Sequence, residues 1–195
     1  MKSFTFAFIA SLIGLSTAAP LEEKRWPSYA TVIKPSYNYL FSNQHFTYSP
    51  TTGKAIFEHY NPYTPSTSTI STFIITAAQA ASLGGKKVRI NFWYDGSEAG
   101  DATGSVIQIY SSLKAPSPLT GDSDGSNQRN QHIGTVVVQK GGEATEASGS
   151  PQTYKTFEFP KTAGNYAFEV VPTAILNPVN FQWNTAVSGL FITVV

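Results

Sequence analysis

Residues Lys87–Tyr94 (KVRINFWY) alternate with a period of two: Val88, Ile90, Phe92 and Tyr94 point one way, Arg89, Asn91 and Trp93 the other. That pattern predicts a strand with one face in a core and the other at least partly wet. Similar alternation or short apolar runs recur at Ala55–Tyr60, Ser68–Thr76, Ser105–Tyr110, Thr135–Gln139, Tyr154–Phe159, Tyr166–Val171, Val179–Trp183 and Leu190–Val195. Turn residues punctuate them, at Pro50, Gly53, Gly96, Gly141, Gly142, Pro160, Gly164 and Gly189. One stretch is helical in character: Thr76 is placed to cap Ala77–Leu83, and Gly84 to take the left-handed position after it. Eight or more short strands with one helical crossing predict an all-β fold, an antiparallel β-sandwich of jelly-roll or immunoglobulin-like type. The polar stretches 115–131 and 141–152 are expected as long loops between strands.

The chain contains no cysteine, so its core must hold the fold without disulfides. At about 170 residues past the N-terminal region, one domain buries roughly 70% of its chain surface, enough for a single core.

The N-terminus has a different character. Lys2 is followed by an apolar run from Phe4 to Leu15, too short to span a bilayer, and by small residues at Ser16 and Ala18. Residues 1–18 are therefore expected to be a secretory signal peptide, and 19–25 a propeptide ending in the dibasic pair Lys24-Arg25. A kexin-type protease reads consecutive basic side chains, and cleavage after Arg25 leaves residues 26–195 as the domain. Of the 13 Lys and Arg and 12 Asp and Glu, three basic residues (Lys2, Lys24, Arg25) and two acidic ones (Glu22, Glu23) precede Trp26, leaving ten of each. A formally neutral domain lacks the basic footprint of nucleic-acid binders and the charge that draws proteins to anionic membranes. No later segment is long and apolar enough to span a membrane, so the expected product is secreted, extracellular or associated with a cell wall. No Asn-x-Ser/Thr acceptor occurs, whereas Thr64–Thr72 is rich in hydroxyls open to O-glycosylation.

From Thr69 onward the order TISTFII, GKKVRINFWY, SVIQIYSSL, HIGTVVV, FEFP, AGNYAFEVV and VNFQWNTAVSGLFI resembles the fungal But-two C-terminal domain family, over roughly Tyr29 to Val195. The resemblance implies a secreted or surface β-sandwich with no assigned catalytic residues. Family members carry two cysteines whose positions correspond here to Val88 and Phe159, so the resemblance implies an apolar pair bridging the same two strands.

Several constellations carry candidate chemistry. Gly121–Gly125 (GDSDG) matches the G-x-S-x-G pattern around a nucleophilic Ser123, but its flanks are neither strand nor apolar helix, and Asp122 and Asp124 oppose an oxyanion beside it. Asp122, Asp124 and Asn127 offer oxygens for an irregular calcium site, although Asn127 and Ile133 stand where an EF-hand needs Gly and Glu. Asp95, Glu98 and Asp101 form a carboxylate cluster in a Gly-rich turn, where acidic residues commonly serve turn geometry. His45 and His59 flank SPTTG, a hairpin-like turn that places them across strands without an evident third zinc ligand. Finally, Trp93, Tyr94, Asp95 and Trp183 combine aromatic rings with polar groups, as carbohydrate binding requires, the alternative being that the tryptophans are core. The expectation is a secreted fungal protein without enzymatic activity, cofactor or resident metal, in a binding or structural role toward cell-wall polysaccharide or an extracellular protein. A lectin-like module is the alternative, a secreted hydrolase a more distant one.

Overall fold

The computed structural model describes residues 26–42, 47–51, 53–59, 66–100, 102–116, 128–148, 156–173 and 179–195; at 57–59 and 179–180 it describes the backbone alone. In chain order the elements are β1 (Tyr37–Ser42), β2 (Thr47–Thr51), β3 (Lys54–His59), β4 (Thr67–Ile75), α1 (Ala77–Leu83), β5 (Lys87–Tyr94), β6 (Val106–Ser112), β7 (Arg129–Val137), β8 (Gly142–Glu143), β9 (Thr145–Glu146), β10 (Thr156–Glu158), β11 (Gly164–Pro172), β12 (Val179–Asn184) and β13 (Gly189–Val194). They form two sheets. The larger runs β12-β3-β4-β11-β6-β7-β9 with the β1–β2 hairpin joined to β4; the smaller is β10-β5-β13, with β8 also paired to β5. Neighbouring strands are antiparallel, as in Ile192 opposite Ile90 and Ala167 opposite Thr72. This is the antiparallel β-sandwich with one short helix that the alternation predicts.

The two inner faces meet in one apolar core. Val88, Ile90, Phe92 and Tyr94 of β5, with Leu190 and Ile192 of β13, join Phe73, Ile75, Phe168, Val170, Ile107, Ile109 and Val136 of the larger sheet. Every second residue of each strand contributes, so the sequence period becomes the packing period. Val88 and Phe159 are both buried in this core, although Val88 stands opposite Phe157 and Phe159 is displaced along the strand, donating its N–H to Lys86 O at 2.8 Å.

The helix forms where expected because its first turn is capped twice: Thr76 Oγ1 accepts from Gln79 N–H at 3.2 Å and Gln79 Oε1 accepts from Thr76 N–H at 2.9 Å. Its exit differs from the expectation. Gly84 has φ −51° and Gly85 φ +78°, with Lys86 N–H donating to Leu83 O at 2.9 Å, a type II turn whose left-handed residue is Gly85. Gly84 is needed for closeness instead, since a Cβ there would meet Ala80 O at 2.4 Å.

Two loop expectations are also corrected. Strand β7 begins at Arg129, and 141–152 contributes β8 and β9, because backbone pairing of β7 to β6, β8 to β5 and β9 to β7 outweighs polar composition. Moreover, β2 and β3 do not form a hairpin across SPTTG. β2 pairs with β1 and β3 with β12 and β4; His59 ends β3, and His45 lies outside the described residues.

The outer face of the smaller sheet is drier than the alternation suggests. Residues 26–36 run along β13 and fold over it: Ile33 and Ile192 exchange two backbone hydrogen bonds of 2.9 Å, Tyr29 stacks on Phe191 at 6.1 Å, and Trp26 Nε1 donates to Ala186 O at 2.9 Å. This strap covers the side on which Trp93, Asp95 and Phe191 lie, and all three are buried. On the outer face of the larger sheet, fully buried Glu169 accepts two hydrogen bonds of 2.8 Å from Arg129 and one from Ser68, while Arg129 lies over the Tyr110 ring.

Candidate functional site

A cleft of about 460 Å³ opens at one end of the sandwich, between the β5–β6 loop, the Gly53–Lys54 turn and β12. Its floor is aromatic. Tyr94, Phe181 and Trp183 face inward from β5 and β12 and pack edge-on or tilted, with Tyr94–Phe181 at 5.1 Å, Phe181–Trp183 at 5.3 Å and Phe92–Trp183 at 5.2 Å. Because β12 alternates, Gln182 and Asn184 point outward and stay exposed, and the antiparallel register sets Lys54 opposite Asn184. The rim thus carries an ammonium and two amides above an apolar base.

The loop above the cleft is tied down by its own polar groups. Tyr94 Oη donates to Gly100 O at 2.7 Å, and Lys140 Nζ donates to Glu98 O at 2.9 Å. Glu98 Oε1 accepts from Asn184 N–H at 2.8 Å and from the Ser188 hydroxyl, which in turn accepts Asp95 N–H at 2.9 Å. Asp95 Oδ1 takes the N–H and hydroxyl of Ser97 at 2.9 and 2.6 Å. Gly189, at φ +134°, lets β13 pass Trp183, whose Nε1 a Cβ there would approach to 3.2 Å. Asp95 and Glu98 therefore act here as the turn-builders their Gly-rich setting suggests.

The four aromatic and acidic candidates divide between two places. Tyr94 and Trp183 floor the cleft; Trp93 and Asp95 lie on the opposite face of β5 beneath the strap. Their exposures are 0%, 2%, 5% and 2%, so no indole offers the open face of a stacking platform; both tryptophans are core, as the alternative held. Of the polar residues that line the cleft, Lys54, Gln182 and Asn184 are exposed. Gln182 is legible as an amide beside Trp183, whereas Lys54 reaches the cleft only through the β3–β12 pairing, for which a single sequence holds no signal.

A second, more open groove of about 600 Å³ lies on the outer face of the smaller sheet beside Tyr29, Arg89, Asn91 and Glu143. Its charges are committed to each other: Arg89 Nη2 lies 2.8 Å from Glu143 Oε1, the Tyr29 hydroxyl donates to Glu143, and Asn91 Nδ2 donates to Glu143 and to Ala144 O. The hydrogen bond to Glu143, then burial, raises the Tyr29 phenol above its ordinary value.

The remaining candidates are not brought together. Lys24, Arg25, His45, Asp101, Asp122, Ser123, Asp124 and Asn127 lie outside the described residues. His132, the base that Ser123 would need, sits on β7 with Nε2 3.1 Å from Thr135 Oγ1 and its ring 5.0 Å from that of Tyr110. Among the described residues no group of three or more His, Cys, Asp or Glu is arranged to hold a metal ion, and no helix is long and apolar enough to cross a membrane. No protein-family model, curated protein or solved structure matches the chain.

Proposed function

We propose that this chain is a secreted, non-enzymatic binding protein of fungal, But-two-domain type, whose end cleft takes a neutral, hydroxyl-rich ligand such as a cell-wall polysaccharide. The observation that carries the reading is the cleft's rim, where Lys54, Gln182 and Asn184 stand exposed above a closed aromatic base. The hydroxyls of a neutral sugar need amide and ammonium partners of this kind. Glycoside hydrolysis needs a facing pair of carboxylates. Among the described residues the cleft lining supplies one, Glu98, whose Oε1 already holds two donors. The dibasic pair at Lys24-Arg25 after an apolar leader supports secretion, and the balanced charge of residues 26–195 suits a neutral polymer.

The test is co-sedimentation of the protein with insoluble chitin, β-glucan and mannan. Saturable depletion by one polymer is expected, with a loss of about tenfold or more in Lys54→Ala and Gln182→Ala, exposed positions where stability should change by only about 0.5 kcal/mol. If all three polymers leave the protein in the supernatant, the polysaccharide reading is wrong and the search turns to protein partners.

A further inference from the structure

Away from the end cleft, a cavity of about 260 Å³ enters the side of the sandwich between the two sheets. Ile75, Ile133, Phe168 and Ile192 are buried in its floor, Phe157 is half-buried against it, and Ser111, Gln131 and Glu158 stand among its lining. Its origin is architectural. Among the described residues β10 spans Thr156–Glu158 and pairs with β5 over 87–89. Opposite, β6 and β7 slip register around Tyr110, and the Ser111 hydroxyl repairs the broken ladder by accepting Gln131 N–H at 3.1 Å and donating to Gln131 O at 3.5 Å. The register slip of β6 and β7 and the β10–β5 pairing thus border an apolar space between the two sheets.

Close-packed interiors seldom retain unfilled space of this size. A dry apolar cavity of roughly 150 Å³ accommodates benzene. At the same density, this one accommodates about ten non-hydrogen atoms. Charge narrows the choice: Glu158 at the lining is exposed and paired with Lys161 Nζ at 3.9 Å, while Gln131 and Ser111 offer neutral hydrogen bonding. We propose that this cavity is a second binding site, for an uncharged, mainly aliphatic or single-ring molecule of about ten non-hydrogen atoms whose one polar group meets Gln131 or Ser111. The site is separate from the polysaccharide cleft in place and chemistry and does not depend on that reading.

The probes are the 1-alkanols from butanol to dodecanol, with decanoate as the charged comparison, titrated calorimetrically into the full-length protein. Affinity is expected to rise about three- to fourfold per methylene. The rise should stop near nonanol or decanol, with decanoate at least tenfold weaker than decanol. Ile133→Trp, which fills the floor, should lose decanol binding by at least tenfold without lowering the melting temperature. Should that variant misfold, Phe157→Trp makes the same test from the half-buried side. Absence of saturable binding, affinity that climbs through dodecanol and ignores both tryptophans, or decanoate binding as tight as decanol would each overturn the proposal.

Discussion

Glu169 is the least expected residue in this fold, a carboxylate with no exposed surface in the middle of a strand that otherwise reads as apolar. It is tolerated because Arg129 meets it with two hydrogen bonds and Ser68 with a third. Its hydrogen bonds to the Glu169 carboxylate, against the opposing effect of burial, raise the Arg129 guanidinium above its already high value. Removing one partner leaves a buried charge unmatched, which costs about 3–5 kcal/mol. Arg129→Ala should therefore lower unfolding stability by that amount in urea, and Glu169→Gln added to it should recover a substantial part. A double variant no more stable than Arg129→Ala alone would show that the loss comes from packing over Tyr110. Nothing in the sequence announces this pair. Glu169 lies in YAFEVV at a position of the alternation like any other polar one, and Arg129 closes a polar run that reads as loop.

At the scale of elements, legibility follows how local the cause is. The span of helix α1 is legible because Thr76 and the glycines sit within one short stretch, although the left-handed residue is Gly85 and not Gly84. Replacing Thr76 by Ala removes the cap acceptor and should cost about 1 kcal/mol. Thermal unfolding of the variant, set beside Ser82→Ala as an exposed control in the same helix, measures it; equal losses in both would mean that the cap contributes nothing of its own. Strands β4, β5, β11, β12 and β13 were legible for the same reason, through their alternation. Strands β8 and β9, two residues each, were not, because they exist only as partners of β5 and β7. The cleft stands between these cases: its aromatic floor and the amide of Gln182 were visible in VNFQW, but the turn that carries Lys54 to it reads as a hairpin and is not one.

For the whole molecule, the strap of residues 26–36 decides which surfaces meet water. Period two alone assigns the Trp93 side of β5 to solvent, and tertiary cover overrides it. One anchor of the strap is ionisable. The Tyr29 phenol is held above its ordinary 10.0 by the hydrogen bond to Glu143 and by burial, so the folded state prefers the neutral phenol. That contribution is complete below pH 10.0 and is lost as pH rises through the higher folded value. Strap release, read as a red shift of Trp93 and Trp26 emission, is therefore expected above about pH 10, and Tyr29→Phe should flatten the transition. Tyr39, raised mainly by burial, titrates in the same direction, so the comparison belongs in a Tyr39→Phe background. An unchanged red shift in the Tyr29→Phe variant would assign the transition to another group.

The same strap also orders events in time. Trp26 and the Ala186 carbonyl it holds are 160 residues apart. At ribosomal rates of about 5–20 residues per second, the first of them waits roughly 8–32 s for the second. Local hairpins such as β1–β2 can close during that interval, whereas the cover over β5 must await β13, the strand on which Ile33 and Tyr29 dock. Closing so long a loop is an entropic step that no nearby contact shortens. Burial of Trp93 is thus a late event in folding, and until it happens a strip of the smaller sheet stays open to whatever chaperone accompanies the nascent chain.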